Sequence, residues 1–118
     1  MSITLGVDVG GSTTKIVGFQ QDGSFLGTLQ VKADDQITSL YGAIGGFLRE
    51  HKVSLPSVCS IVLTGVGASL ITENIFDIPT YKVDEFKAIG WGGLMLSQLK
   101  EAIVVSVGTC LLYTSRCV

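Results

Sequence analysis

The 118-residue chain carries 15 glycines, 8 Lys plus Arg against 10 Asp plus Glu, a formal charge of −2, and 47% apolar residues. This balance excludes a disordered chain, which needs low hydrophobicity and high charge, and a nucleic-acid footprint, which needs a basic cluster. No apolar run reaches the roughly 18 residues of a membrane span, Met1 to Gly10 carries no basic leader, and Cys59, Cys110 and Cys117 form neither a CxxC pair nor an even disulfide framework. A single domain, or a piece of a larger one, in the reducing cytoplasm is expected, with no nucleic-acid or membrane partner.

In chain order, Ile3 to Val9 is β-branched or apolar at most positions and reads as a strand. Gly10-Gly11-Ser12-Thr13 interrupts it, and Thr14 to Gln20 reads as a second strand. Gln21-Asp22-Gly23 is a turn signal, followed by a third strand from Ser24 to Val31 that alternates Phe25, Gly27, Leu29 and Val31 against Leu26, Thr28 and Gln30. Asp34 or Asp35 caps a helix whose apolar stripe is Ile37, Leu40, Tyr41, Ile44, Phe47 and Leu48. Arg49 to Lys52 closes this helix, and the lone His51 has no support as a metal ligand. Val58 to Leu63 reads as a buried strand, with Cys59 expected as a small buried hydrophobe. A short helix is expected over Ala68 to Asn74, a short strand over Thr80 to Val83, a glycine-weakened helix over Glu85 to Leu99, and a last buried strand over Ala102 to Val107. The order is β-β-β-α-β-α-β-α-β, an α/β architecture with a mixed sheet.

The densest chemistry is Asp8-Val9-Gly10-Gly11-Ser12-Thr13-Thr14-Lys15. It lacks the GK[ST] ending of a Walker loop, and a strand rather than a helix follows it, so it is not a dinucleotide fingerprint. Its residue types suit phosphate. Two glycines permit positive φ and let N–H groups face an anion. Ser12, Thr13 and Thr14 add hydroxyls, Lys15 adds positive charge, and Asp8 is placed to hold Mg²⁺ through water. A plain hairpin with a Gly-Gly turn is the competing reading of the same residues.

A second concentration is Lys82-Val83-Asp84-Glu85-Phe86-Lys87-Ala88-Ile89-Gly90-Trp91-Gly92-Gly93. A carboxylate at a strand-to-helix junction sits at the helix end that favours negative charge, where a base for a substrate hydroxyl would serve. The alternative is that Asp84 and Glu85 are an N-cap and a first-turn acid.

Gly6 to Lys15 resembles the first phosphate motif of the actin, hexokinase and Hsp70 ATPase superfamily, and Val105-Ser106-Val107-Gly108-Thr109 resembles the opening of its second. The stretch from Asp84 to Leu94, with Leu63-Thr64-Gly65-Val66-Gly67-Ala68 before it, is similar to the type II pantothenate kinases, especially those of clostridial bacteria. The resemblance covers residues 1 to 109. It implies a ribonuclease-H-like first lobe with the second lobe missing, and ATP and Mg²⁺ as cofactors. Asp8, Gly10, Gly11, Ser12, Thr13, Thr14 and Lys15 are implied as the ATP phosphate site, with Asp8 toward the metal. Thr109 is implied as the first hydroxyl of the second phosphate loop, and Glu85 as the catalytic base. The implied activity is phosphorylation of pantothenate to 4′-phosphopantothenate, the entry to coenzyme A, by an enzyme that is a homodimer at full length.

After Thr109 the resemblance stops: Cys110 stands where the family continues with glycine. Cys-Leu-Leu-Tyr-Thr-Ser, residues 110 to 115, is one translation of the transposon end used to build shotgun libraries. Residues 110 to 118 are therefore expected to be a non-native tail on a truncated frame, and the chain a partial enzyme, inactive alone. The competitors are an ATPase activator of 2-hydroxyacyl-CoA dehydratases built on the same lobe, a sugar kinase of the superfamily, and a non-catalytic nucleotide-binding fragment.

Overall fold

The computed structural model describes residues 1–105 and 115–117. The chain divides into two compact units, Met1–Lys82 and Val83–Val118.

The first unit is built on a five-stranded sheet, β1 (Ile3–Val9), β2 (Thr13–Gln20), β3 (Phe25–Lys32), β4 (Val58–Thr64) and β5 (Thr80–Lys82), in the order β3-β2-β1-β4-β5. β1 to β3 form an antiparallel meander, whereas β4 runs parallel to β1 and β5 parallel to β4. A parallel return needs a crossover, which α1 (Gln36–Glu50) supplies. Asp35 caps α1 by accepting the Thr38 N–H at 2.8 Å, so it is the second of the two candidate aspartates that caps. Hydrogen bonding to Thr38 also holds the Asp35 carboxyl below its ordinary value.

β1 buries Ile3, Leu5, Val7 and Val9 on one face, and α1 covers that face with Leu40, Ala43, Ile44 and Phe47. The Phe47 ring lies directly over Gly18 of β2, where a Cβ would meet its Cζ at 2.5 Å. It also packs against the His51 ring at 4.4 Å, and His51 Nε2 lies 3.1 Å from the Thr28 carbonyl. The helix stripe is thus centred one position away from the expected one. Ala43 is inside, Tyr41 and Leu48 only flank the core, and Ile37 is exposed.

Two β-bulges correct the strand-face assignments. Opposite Ile3 and Thr4, β4 supplies Val58 and Ser60, so Cys59 is the extra residue. Alternation back from Leu63 and Ile61 would put residue 59 inside; the bulge turns Val58 inward and leaves Cys59 exposed, its thiol 3.2 Å from the Ile3 carbonyl. Cys59 is therefore not a buried hydrophobe. Likewise Gly18 and Phe19 oppose Gly27 and Phe25, which makes Leu26 the extra residue. Leu26 packs on the core, and Phe25 turns out, 61% exposed, with its ring edge-on to Phe19.

The expected helix over Ala68 to Asn74 is instead a single 3₁₀ turn at Val66–Leu70. Asn74 serves another purpose: its Oδ1 accepts the Thr80 N–H, fixing the entry to β5. β5 ends at Lys82, one residue short of the expected strand.

The second unit holds α2 (Glu85–Ser97) and a two-stranded antiparallel sheet of β6 (Ala102–Val104) and β7 (Ser115–Cys117). Asp84 caps α2 through the Lys87 N–H at 3.2 Å, and Gln98 ends it in the left-handed region, two residues before the expected stop. Gly93 is where Val104 approaches the helix; a Cβ there would meet Val104 at 2.8 Å. The last strand is not the buried one expected: Ile103 is 70% exposed. Nothing among the described helices is long and apolar enough to cross a membrane.

Phe47 is the largest fully buried side chain and joins helix to sheet. Phe47→Ala is expected to cost about 3–5 kcal/mol, a large part of the ~5–15 kcal/mol that holds a typical domain. Urea unfolding followed by circular dichroism should show a correspondingly lower midpoint.

Candidate phosphate site at the end of β1

The sheet brings Asp8, Gly10, Gly11, Ser12, Thr13 and Lys15 to one end of β1 and β2. The turn is closed by the Gly10 N–H donating to the Thr13 carbonyl at 3.0 Å. It is held from two further sides. The Ala33 N–H donates to the Ser12 carbonyl at 3.0 Å, and Gln36 Nε2, on the first residue of α1, donates to the Gly10 carbonyl at 2.9 Å. The loop is thus fixed by Ala33, just after β3, and by the first residue of the helix that crosses over.

The two glycines have different reasons. Neither takes a positive φ, contrary to the expectation from residue type. Gly10 is required by packing, since a Cβ would sit 2.6 Å from the Thr13 carbonyl oxygen. At Gly11 a Cβ would meet nothing within 4 Å, and no described group takes its N–H. The fold does not need a glycine there, although glycine costs about 0.5–1 kcal/mol of chain entropy relative to alanine. The expectation of two free glycine amides reduces to one, at Gly11.

The hydroxyls also divide. Ser12 is exposed and Thr13 half-buried, but Thr14 is fully buried. Thr14 stands opposite Val9 and Val31 on the face that α1 covers, so its hydroxyl does not reach the open side of the turn. Asp8 and Lys15 are cross-strand partners on the other face. Partial burial holds the Asp8 carboxyl above its ordinary value of 3.8, and the positive charge of Lys15 offsets part of that rise.

Two residues that the sequence reading left outside the site stand beside Asp8. Thr64, the last residue of β4, is its register partner on the parallel side. Gly65 follows at φ +94°, a conformation suited to glycine, with its α-carbon against the Asp8 Oδ1 and the Val9 carbonyl. Gly67 then packs on Val9 and on the Gln36 amide. Their signal was a Thr-Gly-x-Gly turn directly after a buried strand. Glu85 opens α2 in the other unit, half-buried in the first turn behind its cap Asp84. Thr109 lies outside the described residues, as does all of the second motif beyond Val105.

Among the described residues no group of three or more His, Cys, Asp or Glu is arranged to hold a metal ion. One half-buried carboxylate beside a threonine hydroxyl suits a cation that keeps most of its water, which is the behaviour of Mg²⁺.

No protein-family model matches the chain, and no curated protein sequence matches it. Its fold does match solved structures. Component A of the (R)-2-hydroxyglutaryl-CoA dehydratase of Acidaminococcus fermentans superposes with a TM-score of 0.72 at 15% identity, over 99% of this chain and 48% of that one. The activator of the 2-hydroxyisocaproyl-CoA dehydratase of Clostridium difficile, with ADPNP bound, gives 0.67 at 13% identity, over 98% and 45%. A putative 2-dehydro-3-deoxygalactonokinase of Sinorhizobium meliloti gives 0.59 at 11%, over 90% and 47%. The fold is the mixed-sheet, ribonuclease-H-like first-lobe architecture expected from the sequence. The chain spans about half the length of these structures.

A carboxyl whose folded value is raised stabilises the fold most when protonated, and that stability is lost as pH rises through the raised value. Asp8→Asn is therefore expected to melt above the wild type at neutral pH. The gap should close as pH falls below 3.8, where wild-type Asp8 is protonated both folded and unfolded. Thermal melts across this range check it.

Proposed function

We propose that this lobe holds the terminal phosphates of ATP at the Asp8 end of the sheet. The observation that carries the reading is Gly11: an exposed glycine with open space over it and an unclaimed N–H, which neither φ nor packing requires. Such a position suits close approach of an anion to backbone. Gly10 shapes the turn, Ser12 and Thr13 offer hydroxyls, and Lys15 supplies positive charge. Thr14 supports the turn from inside. Asp8 would hold Mg²⁺ through water, and the ion would neutralise phosphate charge. Thr109 would add a hydroxyl from a second loop.

The finer reading is transfer of the γ-phosphoryl group to the primary hydroxyl of pantothenate, giving 4′-phosphopantothenate. Glu85 would take the hydroxyl proton, the oxygen would attack phosphorus in line, and the bond to the ADP oxygen would break. This rests on the Asp84-Glu85-Phe86 and Ala88-Ile89-Gly90 residues, with Asp84 capping α2 and so placing Glu85 in its first turn. A homodimer completed by a second lobe is the form in which it would act.

A second reading is favoured by the solved structures, which support it better than they support the pantothenate reading. The two highest superpositions given above are dehydratase components or activators, one with a nucleotide analogue bound. In that reading the same phosphate site couples ATP hydrolysis to a partner dehydratase. Ligation of an iron–sulfur cluster has weak support in this chain, since among the described residues Cys59 stands alone at the β4 bulge, and Cys110 and Cys117 fall in the tail expected to be non-native.

Titration of the chain with Mg-ATP is expected to show binding that Gly11→Val abolishes, with melting near the wild type because the added side chain begins in open space. Equal binding by the variant would overturn the phosphate assignment. In a form of the protein that phosphorylates pantothenate, Glu85→Gln should lower pantothenate-dependent ADP release by about 10²–10⁴-fold with ATP affinity unchanged. A brown anaerobic protein that releases ADP without regard to pantothenate would decide for the activator.

A further inference from the structure

Thr64 is the part of this end of the sheet that the phosphate reading does not yet use. Its Oγ1 is buried and meets no hydrogen-bond partner among the described residues. Buried hydroxyls are normally paired, and one left without a partner is destabilising. Thr14 shares this condition, but its cross-strand neighbours are Val9 and Val31, which offer no side-chain acceptor. Thr64 differs because its neighbour on β1 is Asp8, a carboxylate on an adjacent strand in the same register. The Asp8 Oδ1 occupies the space where a Cβ on Gly65 would stand, so a carboxylate acceptor lies at the residue next to the unpaired hydroxyl.

We propose that Thr64 is a positioning residue for Asp8: when a magnesium nucleotide draws the carboxylate toward the turn, the Thr64 hydroxyl donates to it and fixes its direction. This rests on the phosphate reading above and deepens it. The unliganded chain then carries an unpaired hydroxyl and a partly desolvated carboxylate side by side, and the ligand completes both. Lys15, on the opposite neighbour strand, supplies charge without fixing direction, since its ammonium is a mobile point charge. A threonine hydroxyl on a strand is held by the ladder and has one torsion to set.

The test compares wild type, Thr64→Val and Thr64→Ser in the 118-residue chain, by melting without ligand and by titration with Mg-ADP. Valine keeps the shape and removes the hydroxyl; serine keeps the hydroxyl. Thr64→Val is expected to melt no lower than the wild type yet bind Mg-ADP about tenfold more weakly, the size of one hydrogen bond to a charged group. Thr64→Ser should bind within about twofold of the wild type. Equal affinity of wild type and Thr64→Val would overturn the inference and leave the phosphate site standing. So would a loss in Thr64→Ser as large as in Thr64→Val, which would mark the methyl group and not the hydroxyl. A wild-type chain that binds no Mg-ADP would overturn the phosphate reading itself, and this inference with it.

Discussion

The site depends on how β1 is paired. Its antiparallel neighbour β2 leaves β1 through a tight turn, and its parallel neighbour β4 ends at the same edge. One strand therefore delivers two turns, Gly10–Ser12 and Thr64–Gly65, to either side of Asp8. Neither pairing alone would do this. The parallel pair also requires the crossover helix, and the first residue of that helix, Gln36, reaches back to the Gly10 carbonyl. The element that makes the topology possible is thus also the one that holds the loop. Substitutions in the α1 core should be felt at the turn through this single amide as well as through global stability.

Several unfavourable features meet at this edge, while the core behind it is regular. Asp8 is partly desolvated, Thr64 Oγ1 and Thr14 Oγ1 lack partners, and Gly11 has freedom the fold does not use. A few residues away, Ile3, Leu5, Ile16, Leu40, Ile44, Ile61 and Leu63 are fully buried. A protein selected only for stability would place an asparagine, a valine or an alanine at several of these edge positions. Several violations of local rules meeting at one edge of the sheet are what the proposed binding site would produce.

The meander, the crossover helix and the residues at the turn were legible in the sequence because each rests on a short-range signal. Ile3 to Val9 alternates and is bounded by Gly-Gly; Asp35 stands before a helical stripe. The bulges were not legible, because nothing in Val58-Cys59-Ser60 or Phe25-Leu26-Gly27 marks which residue the partner strand will skip. That choice is made by register across the sheet. One skipped residue reversed the faces of Cys59 and Phe25. Thr64 and Gly65 escaped for a related reason: their role comes from standing opposite Asp8, a neighbour 56 positions away. Gly10 and Gly11 look alike in sequence and separate only when the space over each is known.

One fold superposes on a dehydratase component, a dehydratase activator and a putative sugar-acid kinase. Phosphoryl transfer asks the protein for position and charge and for little covalent work. A rigid sheet edge with one carboxylate, one lysine and an open amide meets that need whether the acceptor is water or an alcohol. Identity of reaction must then come from residues outside this edge. On the proposed kinase reading Glu85 would make the difference, for an alcohol needs its proton removed. It is held by a different device from the rest: a capped helix end rather than a strand register. Trp91, Met95, Leu96 and Leu99 on and just beyond that helix are exposed. Exposed apolar surface of this kind favours contact with a partner. On the proposed reading every phosphate-side residue named above except Thr109 belongs to the first unit, whereas the proposed base, Glu85, belongs to the second.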